Sequence, residues 1–279
     1  MATFTRIYHS TSYPTISPLN PANSAAGRTV MITGSTEGIG LAIARSFKEA
    51  GAGKVVLLSR RPEALEVAIK AEAEAPGEDR TTQILGRQVD LSSSDSIARL
   101  WDGLAQDGIF IDVLVLNAAK TEQRTLREDL TGAWGSFEVN VLSGMRMVER
   151  FIQQGEGRPK VHPQSSHVTT RYLPKFAASK ANRAIQAVLN ISSFMAHSNP
   201  APLQGAYAAS KAGFASLLQH LAEDFDAAEV QIVNIHPGAV LSAAARRHGL
   251  TEDTLPWDDG KPPSANPSLY ARSRCYSVC

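Results

Sequence analysis

Three glycines fall within seven residues in Thr33-Gly34-Ser35-Thr36-Glu37-Gly38-Ile39-Gly40, between two segments of different period. Before them, Thr29-Val30-Met31-Ile32-Thr33 is a short apolar, β-branched run that reads as a buried strand. After them, residues 40–50 (GLAIARSFKEA) carry helical spacing and stop at Gly51. Glycine at a strand-to-helix turn permits positive φ and removes the Cβ that would keep a ligand off the backbone. The helix that follows offers free N–H groups and a partial positive charge, which suits a pyrophosphate. A glycine cluster by itself marks only a tight turn. Its place after the first strand and before the first helix makes Gly34, Gly38, Ile39 and Gly40 a candidate dinucleotide cradle.

The alternation continues down the chain. Strand-like runs are expected at Lys54–Ser59, Gln83–Val89, Ile111–Asn117, Ala187–Ser192 and Val230–Ile235. Helices are expected over 62–75, 94–105, about 128–153 and about 205–227, the first opened by Pro62. Strands alternating with helices of this length imply right-handed crossovers and a parallel sheet covered on both faces. The expected fold is therefore α/β, a Rossmann-type doubly wound sheet in three α/β/α layers. At 279 residues and 43% hydrophobic, one domain is the default. It is placed at 28–259, after an N-terminal arm (1–27) and before an irregular tail (260–279).

Composition excludes several classes. There are 28 basic and 27 acidic residues without a basic cluster, so neither a nucleic-acid partner nor a membrane surface is expected. No apolar run approaches the ~18 residues of a membrane span. The only cysteines, Cys275 and Cys279, rule out a disulfide framework and fit a reducing compartment. The arm is Ser/Thr-rich, but one arginine and three prolines speak against a targeting helix, which leaves the cytoplasm as the expectation. No metal site is expected.

Tyr207-Ala208-Ala209-Ser210-Lys211 is the sharpest chemical signal. Tyr and Lys at i and i+4 share one face of a helix. A phenol titrates near 10, and a neighbouring ammonium favours phenolate. A phenol so acidified can give a proton to a carbonyl oxygen or take one from an alcohol.

With these motifs in order, the chain from about Gly27 to Ser242 resembles the short-chain dehydrogenase/reductase family, in particular its fungal NADP(H)-dependent members. The glycine spacing matches the family's T-G-x-x-x-G-I-G, and Tyr207 and Lys211 match its Y-x-x-x-K. The resemblance implies several further roles. Asp90 contacts adenine, and Asn117-Ala118-Ala119 stands for the family's N-A-G with alanine in the glycine place. Asn140 supports a proton-relay water beside Lys211, which itself holds the nicotinamide ribose. Ser193, 14 residues before Tyr207, orients the substrate oxygen, with Ser192 as the competing assignment. Val240 and Ser242, in Pro237-Gly238-Ala239-Val240-Leu241-Ser242, lie over the nicotinamide carboxamide. The family's usual dimer, or a tetramer, would pack the helices carrying Asn140 and Tyr207.

The second strand ends Leu58-Ser59-Arg60-Arg61, with no acid to bond a free ribose 2′-OH and two guanidinium groups to meet a 2′-phosphate. NADP(H) is therefore the expected cofactor, with NAD(H) second and Arg60 the nearest candidate contact. Glu37 is a counter-signal, since some NADP-using members of the family carry a basic residue there. The expected activity is hydride transfer between NADP(H) and a carbonyl or secondary alcohol.

Two segments depart from the family pattern. Residues 161–186 are too many for an ordinary helix-to-strand link, and Phe176-Ala177-Ala178-Ser179-Lys180 within them mimics the tyrosine motif without its hydroxyl. After Ser242 the family supplies a lid, a helix and a final edge strand, whereas 260–279 has neither period, so that strand is expected to be missing. Gly260-Lys261 can be encoded with a splice donor, and Ala181-Asn182 and Ile185-Gln186 with branch-point and acceptor signals. Both segments are thus also readable as translated intron. The alternative function is a non-catalytic cofactor-binding or defective member of the family.

Overall fold

The computed structural model describes residues 13–74, 81–121, 124–154, 185–197, 203–238, 240–247, 249–251 and 253. Phe176, most of segment 161–186 and the tail 260–279 lie outside the described residues.

Six strands form one sheet in the order β3-β2-β1-β4-β5-β6: β1 (Thr29–Thr33), β2 (Lys54–Ser59), β3 (Gln83–Gln88), β4 (Val113–Leu116), β5 (Gln186–Ile191) and β6 (Val230–Ile235). Every pairing among them is parallel. The chain leaves β1 towards β2 and β3, then returns to place β4 on the other side of β1. The carboxyl ends of β1 and β4 thus flank the reversal point, where open α/β sheets bind ligands.

The intervening helices are α1 (Gly38–Glu49), α2 (Pro62–Glu74), α3 (Ser94–Gln106), α4 (Leu130–Phe137), α5 (Ser143–Gln153), α6 (Gly205–Ala222) and the short α7 (Ala243–Arg247). None of the described helices is long and apolar enough to cross a membrane.

Alternate residues of the strands supply two cores, as the period of two requires. Val30, Ile32, Val55, Leu57, Val113 and Val115 pack with Ala44, Leu65 and Ala68 on the α1 and α2 side. Met31, Val56, Leu58, Leu114 and Val188 pack on the other side with Ile97, Leu100 and Leu104 of α3, Met147 and Phe151 of α5, and Phe214 and Leu218 of α6. The three-layer doubly wound fold expected from the sequence is the one observed.

Three details differ from the sequence reading. The helix expected over 128–153 is two helices joined by a π turn, Glu138–Leu142, which carries Asn140. Gln186, assigned to the extra segment, is the first residue of β5. Residues 13–27 of the arm form two 3₁₀ turns (Pro14–Ile16 and Pro21–Asn23), and its end is docked: Ala25 N–H donates to Ala50 O (2.8 Å) and Ala25 is buried. β6 is the sheet's edge among the described residues, and the tail 260–279, where no final strand is expected from the sequence, lies outside them.

The opposite, amino-terminal edge is held by charged side chains. The Asp112 carboxylate accepts from Thr29 N–H (2.8 Å), and the buried Arg28 guanidinium donates to Ile185 O (2.9 Å) just before β5.

Candidate active site

The glycine turn is fastened from both sides. Thr33 Oγ1, at the end of β1, donates to Val115 O (3.3 Å) and accepts from the N–H groups of Asn117 (2.9 Å) and Ala118 (3.0 Å). Asn117 returns the contact, its Nδ2 donating to Thr33 O and Gly34 O, both at 3.0 Å. Ser35, fully buried, donates from Oγ to Ile32 O (2.8 Å) and accepts from Leu58 N–H (2.9 Å), which locks the turn to the end of β2. Gly34 and Gly38 have φ of +62° and +55°, the left-handed region where a side chain is strained. A Cβ on Gly40 would lie 2.6 Å from Asn117 Nδ2, so the close approach of α1 to the β4 loop needs glycine there.

Beside this turn opens a cleft of about 240 Å³ lined by Ile39, Asn117, Ser193, Tyr207, Lys211 and Val240, among others. These residues follow β1, β4, β5 and β6, whose carboxyl ends lie at one edge of the sheet. Ser193 follows β5 and caps a single 3₁₀ turn, Phe194–Ala196, its Oγ accepting from Met195 N–H (3.2 Å). Tyr207 and Lys211 occupy the first turns of α6. Ser192, the competing assignment, also lines the cleft, but its Oγ is buried and finds no hydrogen-bond partner among the described residues. The Ser193 hydroxyl is close enough to Tyr207 to favour its phenolate.

The electrostatics differ from the sequence expectation. Lys211 is 3% exposed, and its Nζ donates to Ile191 O (2.8 Å). That nitrogen stands 6.0 Å from the centroid of the Tyr207 ring. Loss of solvent lowers the lysine pKa to about 8, because burial penalises the ammonium. Burial likewise pushes the Tyr207 phenol up, and the neighbouring Ser193 hydroxyl only partly opposes it. The phenol is therefore protonated at neutral pH rather than acidified by its lysine.

Asn140 lies behind the cleft. Its Oδ1 accepts from Lys120 N–H (2.7 Å), and its Nδ2 donates to Lys120 O and Ser210 Oγ, both at 2.9 Å. Ser210 Oγ in turn donates to Tyr207 O (2.8 Å). The π turn thus ties the loop after β4 to the helix that carries Tyr207 and Lys211, and π turns often mark functional positions. Next to Asn140, a cavity of about 10 Å³ is lined by Thr33, Asn190 and Lys211 as well. That is close to the smallest space able to hold one water molecule, and its walls mix polar groups of Thr33, Asn140, Ser143, Asn190 and Lys211 with apolar side chains such as Leu116, Met147 and Phe214.

The remaining candidates stand apart from the cleft. Asp90 is at the exposed end of β3, where Ser92 N–H and Oγ bond its carboxylate (3.0 and 2.7 Å) and hold its pKa down, with a smaller effect of the Arg60 charge. Arg60 is exposed beyond β2, its carbonyl accepting from Gln88 Nε2 (3.2 Å). Ser242 caps α7 by accepting Ala245 N–H (3.1 Å), and its Cβ is 3.5 Å from where a Gly38 side chain would begin. Among the described residues no cluster suited to a metal ion is found.

Sequence reasoning missed the support beneath these groups. Thr33 and Ser35 were in view inside the glycine motif, but their partners come from β4 and β2, which no local pattern reveals. Ser210 was hidden between the two residues that drew attention. Arg247, which reaches Glu37 from α7, carried no signal at all.

Comparison with known proteins agrees with this geometry. The family model of the short chain dehydrogenases matches residues 28–181 and again 164–253, and the two matches overlap inside the segment set apart by sequence. A short chain dehydrogenase/reductase of Claviceps purpurea is 31% identical over 264 residues, covering 93% of this chain and 78% of that protein. The Aspergillus aculeatus short chain dehydrogenase/reductase AacuD is 26% identical, covering 91% and 78%. Among solved structures, the RhlG/NADP active-site complex of Pseudomonas aeruginosa superimposes with a TM-score of 0.66 at 24% identity, covering 91% of this chain and 90% of RhlG, a likeness of fold. A metagenomic short-chain oxidoreductase in complex with NADP is 29% identical, with a TM-score of 0.60 over 77% of this chain and 83% of its own. The glycine turn, the cleft and the matched residues lead to one assignment: the chain belongs to the short-chain dehydrogenase family of oxidoreductases.

Proposed function

We propose that this protein interconverts a carbonyl group and a secondary alcohol, using NADP(H). The observation that carries the reading is the meeting of Ser193, Tyr207 and Lys211 in one cleft with Ile39 and Asn117 of the cradle side. The residues present suit a dinucleotide. Gly38 and Gly40 leave the head of α1 bare, and the first N–H groups of a helix lack internal partners.

NADP(H), when bound, supplies or takes up the hydride. The chain's own groups do the rest. Tyr207 gives its proton to the carbonyl oxygen in reduction and takes one from the alcohol in oxidation. Ser193 orients the substrate oxygen towards that hydroxyl. Lys211 holds the nicotinamide ribose and stabilises phenolate as it forms. Asn140 is a positioning residue: it fixes Ser210 between Tyr207 and Lys211 and borders the water-sized cavity that suits a proton relay. Gly34, Gly38, Ile39 and Gly40 cradle the pyrophosphate, Asp90 and Asn117 border the adenosine side, and Val240 and Ser242 face the carboxamide. Arg60 supports the 2′-phosphate, as does the likeness to an NADP-bound relative at 29% identity.

Titrating the purified protein with NADPH and NADH, followed by a carbonyl panel, tests the reading. NADPH is expected to bind at least tenfold more tightly and to be oxidised with some ketone. Tight NADPH binding without turnover on a broad panel would favour the non-catalytic alternative.

The same reading includes a homodimer. Leu130 and Trp134 lie one turn apart on α4 and are 74% and 65% exposed, with Trp134 stacked on Phe137. An apolar patch of this kind favours a protein partner over water. Light scattering should give twice the chain mass, and Trp134→Glu should reduce it to the monomer. A wild-type monomer at micromolar concentration would refute this.

A further inference from the structure

Glu37 is the one acidic residue in the glycine turn, immediately before the first residue of α1. Its side chain makes no capping bond there. A carboxylate in this place opposes any phosphate drawn to the same helix end, because both are anions. The carboxylate is nevertheless committed elsewhere. Arg247 Nη2 contacts Glu37 Oε1 at 2.6 Å, and Nη1 reaches Oε2 at 3.5 Å, a two-pronged contact across the turn. Arg247 is the last residue of α7, and the start of that segment sits on the turn through Ser242 beside Gly38. Arg61, just beyond β2, is a second cation acting on Glu37.

We infer that Arg247 is a determinant of cofactor choice: by occupying Glu37 it cancels the carboxylate charge in the cradle and leaves the Arg60-Arg61 pair free for a 2′-phosphate. The inference rests on the NADP(H) reading above. The three guanidinium groups of Arg60, Arg61 and Arg247 outnumber the two carboxylates beside them, Glu37 and Asp90, and leave the rim net positive. With Arg247 removed, Glu37 becomes an unpaired anion within the field of Arg61 and competes for it. The penalty falls mainly on the nucleotide that needs Arg60 and Arg61. NADPH carries the extra phosphate charge, so it loses more than NADH.

The test is fluorescence titration of NADPH and NADH with wild type, Arg247→Gln, Glu37→Gln and the double variant. Arg247→Gln is expected to weaken NADPH by about fivefold and NADH by less than about twofold, in line with the modest energy of an exposed ion pair. Glu37→Gln in the Arg247→Gln background should restore NADPH to near the wild-type value. Raising salt should narrow the difference between wild type and Arg247→Gln, because exposed charges are screened. Equal losses for both nucleotides would reduce Arg247 to a structural latch and overturn the inference. So would a double variant no better than Arg247→Gln. A wild-type protein that binds NADH but not NADPH would instead overturn the cofactor reading, and this inference with it.

Discussion

Tyr207→Phe is expected to lower kcat for carbonyl reduction by about three orders of magnitude, the middle of the range for a lost general acid. The exchange removes one oxygen and keeps the ring, so the packing of α6 should survive. NADPH affinity should stay within about twofold, since Lys211 and the glycine turn are untouched. The residual rate comes from positioning alone. Burial pushes the phenol up and holds it protonated, which suits proton donation, so reduction should keep its rate through neutral pH and fall only where the pH is high enough to ionise the phenol. Oxidation of the alcohol needs the phenolate and should climb with pH. Steady-state kinetics with a responsive ketone, paired with cofactor titration of the same variant, checks both halves. A variant retaining more than a tenth of the wild-type kcat would falsify the assignment of Tyr207.

Lys211→Met should trade activity for stability. Turnover is expected to fall at least about a hundredfold, because the ribose loses its anchor and the phenolate its cation. The cofactor-free protein should nevertheless become harder to melt at pH 7. The lysine titrates at about 8 in the fold against 10.5 outside it. Keeping it charged below pH 8 costs on the order of 3 kcal/mol. The sign follows from proton counting. Between about 8 and 10.5 the unfolded chain binds the proton that the folded one has released, so stability rises with pH across that window. Methionine removes the penalty but leaves Ile191 O without its donor, which returns roughly 1–3 kcal/mol. The net gain is on the order of 1 kcal/mol, or a melting temperature higher by about 2–4 °C. It should be present at pH 7 and gone by pH 10. Melting curves of both proteins at the two pH values decide it, and a wild type that melts higher at pH 7 would contradict the burial argument.

The elements with strong periodicity were legible in the sequence. Val55, Val56, Leu57 and Leu58 are all buried, so β2 reads as an unbroken apolar run with no competing pattern. Residues that meet in the cleft were legible where a spacing puts two side chains on one helix face, as at Tyr207 and Lys211. The charge states were not. The sequence pattern puts an ammonium beside a phenol and predicts acidification. In the fold, Lys211 turns to Ile191 O and both groups lose solvent, so desolvation outweighs the pair attraction. Nor was the π turn legible. Glu138–Leu142 has ordinary helical residues, and the extra residue per turn becomes favourable only when Asn140 reaches Lys120 and Ser210 from elsewhere in the chain. Contacts that span 70 or more residues, such as Asn140 to Ser210 or Thr33 to Asn117, belong to topology and not to local pattern.

The clamp at the base of the sheet bears on how this chain tolerates change. Arg28 grips the backbone at Ile185, and Asp112 grips it at Thr29, so β5 begins from a tethered point on the side away from the chemistry. Whatever length of chain joins α5 to that point, its cost is chiefly closure entropy, and doubling it adds only about 0.6 kcal/mol. Insertions at this mooring are therefore nearly neutral for the reaction, and the connection can diverge while the catalytic end of the sheet remains under constraint.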